Sequence, residues 1–123
     1  MLIHDGRILL VKHVYQKYWY FPGGGVKWGE TYEETARREM KEEAGAEGKT
    51  LQFCGVYNSY GENKSDSIAL FLCTDFSYTG QSDREIEEVR MFNLSELPSP
   101  LEPGCARRLE EFCLGRISPS GRW

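Results

Sequence analysis

The sequence predicts an α+β fold in which helices pack on a mixed β-sheet. Three observations predict it. One long run of helix formers, residues 31–44, stands between strand-like segments on both sides. Those segments are short and separated by turn residues, so they read as hairpins rather than as repeated strand–helix–strand units. A second helical stretch, residues 105–114, follows a proline-rich connection.

Residues 2–11 read as a hairpin: apolar Leu2 and Ile3, a turn at Asp5-Gly6, then Ile8, Leu9, Leu10 and Val11. Residues 18–21 form a short aromatic strand, closed by Pro22 and the run Gly23-Gly24-Gly25. The helix over 31–44 stops at Gly45, a favoured C-cap residue. Residues 50–57 read as a strand, followed by a polar loop through Gly61, Asn63 and Ser65. Residues 67–76 are the strongest strand candidate, residues 80–85 a charged and mobile loop, and residues 88–92 a further short strand. Pro98, Pro100 and Pro103 mark the connection to the second helix, and the tail 117–123 reads as frayed.

With 123 residues the chain has room for one domain, 1–123, and 40% hydrophobic residues suffice for one core. No apolar run approaches the roughly 18 residues that a membrane span needs. The opening residues show no basic region followed by an apolar stretch, so no signal peptide is expected. A formal charge of −4 speaks against a nucleic-acid polymer as partner, which requires a basic footprint. It leaves open a small polyanion whose charge a metal ion neutralises. Cys54, Cys73, Cys105 and Cys113 form no C-x-x-C pair and have no zinc-ligand spacing with His4 or His13. They read as reduced, buried thiols of a cytoplasmic protein.

The first helix is poorly designed as a free-standing helix. Residues 30–45 hold six carboxylates (Glu30, Glu33, Glu34, Glu39, Glu42, Glu43) and three bases (Arg37, Arg38, Lys41). Glu39, Glu42 and Glu43 stand three and four residues apart, within an arc of about 100°. Like charges at those spacings cost a few tenths of a kcal/mol each, and the helix dipole disfavours the last two by a similar amount. Three carboxylates converging on one edge make sense if a hard divalent cation such as Mg²⁺ or Mn²⁺ binds them. Ala36, Met40 and Ala44 form an apolar stripe that would dock on a sheet and leave the acids at a cleft. Arg38 can reach Glu34 or Glu42. The glycine run before the helix lets backbone approach a ligand closely.

Read together, the segment is Gly24-x5-Glu30-x7-Arg38-Glu39-Met40-x-Glu42-Glu43-x-Gly45-Ala46. It resembles the signature box of the Nudix hydrolases, with every defining glycine, acid and arginine in register. One departure is Ala46, where the family prefers a bulky aliphatic residue. More loosely, the resemblance covers the whole chain, including Phe21-Pro22-Gly23-Gly24 before the box and residues 91–98 before the last helix. It implies an α/β/α sandwich with a mixed sheet, in which the box forms a loop–helix–loop unit. It also implies metal-dependent hydrolysis of a nucleoside diphosphate linked to another group, with Mg²⁺ or Mn²⁺. Carried over residue by residue, Glu39, Glu42, Glu43 and the carbonyl of Gly23 are the implied metal ligands. Arg38 orients the glutamates, and Glu30 holds loop and helix together, further from the metal.

Outside the box, Asp83, Glu85, Glu87 and Glu88 offer an additional base, and Glu85 sits at the offset the family often uses. Tyr20 and Trp28 are the aromatic candidates to contact the substrate. The open substrates are (d)NTPs, nucleotide sugars, ADP-ribose and dinucleotide polyphosphates. The alternative is a module that binds a nucleotide without cleaving it. The resembling proteins usually have a longer lead into the first strand, so the sheet edge there is expected to be short or paired with another subunit; the chain is expected to be a monomer or homodimer.

Overall fold

In a computed structural model, residues 1–61 and 63–123 are described. The elements in chain order are β1 (Leu2–His4), β2 (Arg7–His13), β3 (Trp19–Tyr20), α1 (Tyr32–Ala44), β4 (Ala46–Gly48), β5 (Gln52–Gly61), β6 (Lys64–Leu72), β7 (Phe76–Tyr78), β8 (Ile86–Asn93), α2 (Pro103–Cys113) and β9 (Ser120–Arg122). The β1–β2 hairpin turns at Asp5 and Gly6, both at positive φ, the turn form that suits the twist of antiparallel strands. Strand β2 is central: β1 and β3 share one of its edges, and β8 takes the other.

Alternation along β2 explains its unbroken apolar run. Ile8 and Leu10 enter a core with Trp19, Tyr57, Leu70 and Leu109 of α2. Leu9 and Val11 point the other way, into a core with Met40 and Ala44 of α1, Ala46 and Ile86. A strand covered on both faces needs apolar residues at every position. One helix therefore lies on each side, an α/β/α sandwich, and the stripe ending in Met40 and Ala44 docks α1 as expected. Ala46, the departure from the box pattern, is fully buried beside them. Helix α1 begins at a capping box, in which the Thr31 hydroxyl accepts from the Glu34 N–H and the Glu34 carboxylate accepts from the Thr31 N–H. Such a cap is worth about 1 kcal/mol.

Several expectations need correction. The loop expected through Gly61, Asn63 and Ser65 is mostly ladder: β5 runs on to Gly61 and β6 starts at Lys64. Strand pairing is blind to polar side chains where both faces meet water, so polarity was a poor loop signal. The single strand expected over 67–76 ends at Leu72; Cys73 bridges Leu2, and β7 pairs instead with β4. The edge of β1 is indeed short, and its bonds run within the chain: the Ile3 N–H donates to the Cys73 carbonyl. The loop over 80–85 is tied to the end of α1, where the N–H groups of Thr79, Gly80 and Asp83 donate to the carbonyls of Gly45, Ala44 and Glu42. The tail is not frayed: β9 runs parallel to β5, and Arg108 of α2 donates to the Arg122 carbonyl. The four cysteines are free, but only Cys73 and Cys105 are buried, while Cys113 is exposed. Among the described residues no helix is long and apolar enough to cross a membrane.

Candidate active site

The site grows from the loop before α1 and the charged face of that helix. Arg38 joins the two. Its Nε donates to Glu30 Oε1 at 2.6 Å, and Nη2 donates to Glu30 Oε2 and to the Gly25 carbonyl, both at 3.0 Å. Its Nη1 donates to Glu39 Oε1 at 2.7 Å and to Glu42 Oε2 at 3.2 Å. One guanidinium thus answers three of the crowded carboxylates, which is the fork geometry that favours arginine over lysine. Glu34, the other partner considered for Arg38, is engaged in the capping box. Glu30 also accepts from the Lys27 N–H and the Thr35 hydroxyl. Arg38 first, then these two donors, hold its carboxyl down at about 2. Glu30 is therefore the strap between loop and helix.

Glu39 lies against the glycine loop. A Cβ on Gly24 would stand 2.4 Å from Glu39 Oε1, so only glycine admits the carboxylate there. Glu43 is the deepest acid, 2% exposed. Its Oε1 accepts from the Gly23 N–H at 2.7 Å, and its Oε2 lies 3.3 Å from His13 Nε2. Burial pushes its carboxyl up to about 8; the Gly23 N–H opposes the shift, and the charges of Glu39, Asp83 and Glu85 add to it.

The three expected ligands are therefore on one side of α1 but divided. Glu39 and Glu42 rest on Arg38, and Glu43 is turned to Gly23 and His13. Among the described residues no three His, Cys, Asp or Glu side chains converge closely enough to hold a metal as they stand. The donor set nonetheless fits a hard cation. It is all oxygen, the Gly24 cradle lets Glu39 reach the loop, and Glu43 is buried in a field of like charge that a cation would relieve.

The glycine loop that seats Glu39 and Glu43 borders a cleft of about 670 Å³, and none of the box glutamates lines it. Its wall includes His13, Tyr20, the glycines 23–25 and Ser67. Tyr20, one aromatic candidate, lines the cleft. Trp28, the other, is fully exposed and outside the cleft lining. Glu85 lies on the loop beside the end of α1, its N–H donating to Asp83 Oδ1. Glu87 and Glu88 are paired with Lys12 and Arg90. No salt bridge holds Glu85 among the described residues.

Sequence reasoning passed over His13. At the β2–β8 register shift the extra residue is Glu87 of β8, and β2 runs on without an insertion, so alternation places His13 on the face of Leu9 and Val11 that meets α1, where it reaches Glu43. That alternation was the signal in the sequence that could have found it.

The model of the Nudix domain family matches residues 1–112. The chain is 31% identical over 99 residues to an ADP-ribose pyrophosphatase of Methanocaldococcus jannaschii, a match covering 76% of this chain and 59% of that protein. The chain thus spans less than two thirds of that relative's length. In structure it is similar to a MutT Nudix hydrolase of Burkholderia pseudomallei, with TM-score 0.78, 28% identity and coverage of 89% of this chain and 90% of that one. It is also similar to the Bacillus subtilis pyrophosphohydrolase BsRppH, with TM-score 0.75, 28% identity and coverage of 95% and 80%. Box, sandwich and family match agree, and the chain belongs to the Nudix hydrolase family.

Proposed function

We propose that this chain hydrolyses a phosphoanhydride bond of a nucleoside diphosphate derivative, such as a (d)NTP or a nucleotide sugar, with Mg²⁺ or Mn²⁺. The observation that carries the reading is the complete set of box acids on one side of α1, with Glu39 and Glu43 seated on the glycine loop that lines a cleft large enough for a nucleotide. Glu39, Glu42, Glu43 and the Gly23 carbonyl would hold the cation. Bound there, it would neutralise phosphate charge and acidify a water.

The chain's own residues supply the rest. Arg38 keeps Glu39 and Glu42 side by side, and Glu30 fixes Arg38 to the loop. Glu85 takes the proton as a water oxygen attacks phosphorus; the anhydride P–O bond breaks and its electron pair leaves with the departing phosphate. Tyr20 lines the path of the group beyond the diphosphate. No covalent nucleophile is needed, and burial holds the Cys105 thiol, the cysteine that lines the cleft with Cys73, well above its ordinary range.

The test is phosphate release, after phosphatase coupling, from a panel of (d)NTPs, nucleotide sugars, ADP-ribose and dinucleotide polyphosphates. Cleavage of one class with Mg²⁺ or Mn²⁺ and none in EDTA is expected. Nucleotide binding with no cleavage of any compound would replace the reading by a binding module. Full activity in EDTA would refute the metal-dependent mechanism.

A further inference from the structure

Residues 117–123 lie beyond the segment that the family model matches, which ends at residue 112. They nevertheless build part of the cleft wall through Trp123. The indole is held from several sides. Its Nε1–H donates to Glu102 Oε2 at 3.1 Å, and its main-chain N–H donates to the Asn58 carbonyl at 2.9 Å. Its ring stands edge-on to Phe21, with centroids 6.2 Å apart and planes at 83°, and tilts against Tyr57 at 5.9 Å and 58°.

The seat under the ring is specific. Gly104 is the second residue of α2, and a Cβ there would fall 2.1 Å from the indole Nε1 and 2.2 Å from Cδ1. Only glycine admits the ring. Glu102 is fixed in turn, because the same Oε2 accepts from the Cys105 N–H as the N-cap of α2. The indole is thus preorganised and loses little freedom when a ligand packs on it. No lysine or arginine side chain lines the cleft among the described residues. A group lodged there meets aromatic surface and the acids Asp66 and Glu102 rather than the positive charge of a lysine or arginine.

We propose that Trp123 is the platform on which the nucleobase of the substrate packs, so that residues outside the family's shared unit set this chain's preference for base-bearing substrates. The proposal rests on the nucleotide reading above. The platform acts on binding. The bond cleaved is the concern of the box acids seated on the glycine loop.

The experiment is calorimetric titration with a nucleoside triphosphate and with inorganic tripolyphosphate, using Ca²⁺ to support binding with little cleavage. It compares the wild-type chain with W123L, which keeps bulk without a π face, and with W123F, which keeps the π face without the Glu102 bond. W123L is expected to weaken the nucleotide about tenfold while tripolyphosphate stays within about threefold; W123F is expected to stay within about threefold for both. Wild-type affinity for the nucleotide in W123L would overturn the proposal. So would equal weakening of both ligands in W123L and W123F, which would make the indole a wall of the core only, and so would a wild-type chain that binds no nucleotide. If the expected pattern holds but no compound is hydrolysed, the catalytic reading falls and the platform stands. If hydrolysis is found and the pattern is absent, the reverse follows.

Discussion

The two ends of the cleft are built in opposite ways. The acidic end is largely local: the bond from Gly23 to Glu43 spans 20 residues and the Arg38–Glu30 pair spans 8, with His13 of β2 as the one partner from further away. The other end is assembled from β5, β6, the start of α2 and the tail, with the Tyr57 hydroxyl bonded to the Ser118 carbonyl 61 residues away. A local unit can be read from spacing, because helix geometry alone decides which side chains meet. An end made of long-range contacts cannot. The difference separates what the chain does to a diphosphate from what it accepts beside it.

The sharpest way to break this comparison is to damage the local end. Glu43→Gln is expected to lower kcat about 100-fold or more, measured on whichever compound the panel identifies. Near-normal turnover would mean that the buried acid is structural. Next is Glu85→Gln, expected to lower kcat by a similar or smaller factor, about 100-fold at most, and to leave KM within a few-fold. A silent Glu85→Gln beside a severe change at Glu87 or Glu88 would move the base along the chain, against the pairing of those two with Lys12 and Arg90.

A smaller loss is expected from Gly24→Ala. The added Cβ meets only the tip of the flexible Glu39 side chain, so the melting temperature should hold while activity falls about tenfold through a displaced Glu39. Unfolding instead would show that the glycine serves the loop's backbone rather than the acid.

The smallest effect is on stability, and it has a sign. The Glu43 carboxyl is pushed up to about 8 by burial first. A group whose folded pKa is raised stabilises the fold below its unfolded pKa, and that stability is lost as pH rises through the folded value. Metal-free protein should therefore lose melting temperature between about pH 4.5 and 8, and Glu43→Gln should flatten that slope. An identical slope in the variant would contradict the burial of an unneutralised acid.

Legibility follows the same division. The first helix, its C-cap at Gly45 and the side on which Glu39, Glu42 and Glu43 stand follow from the sequence, while Thr31, read as the first helical residue, is the N-cap. So does the double burial of β2, visible in four consecutive apolar residues. The division of the acids between Arg38 and the Gly23–His13 pair was not legible, because it depends on side-chain rotamers and on how α1 docks against the end of β2. The tail misled for a plain reason. Residues 117–123 hold four turn formers in a row, Ser118, Pro119, Ser120 and Gly121, but partners on β5 and α2 order them. Trp28 is an aromatic beside the box whose ring faces water.

The central claim is that the local unit holds a divalent cation. The most direct measurement is uptake of Mn²⁺, followed by the electron paramagnetic resonance signal of the free ion, in the wild-type chain and in Glu39→Gln and Glu43→Gln. The account predicts saturable uptake by the wild-type chain and affinity at least about tenfold weaker in each variant. Equal uptake by all three proteins, or none by the wild-type chain, would contradict it.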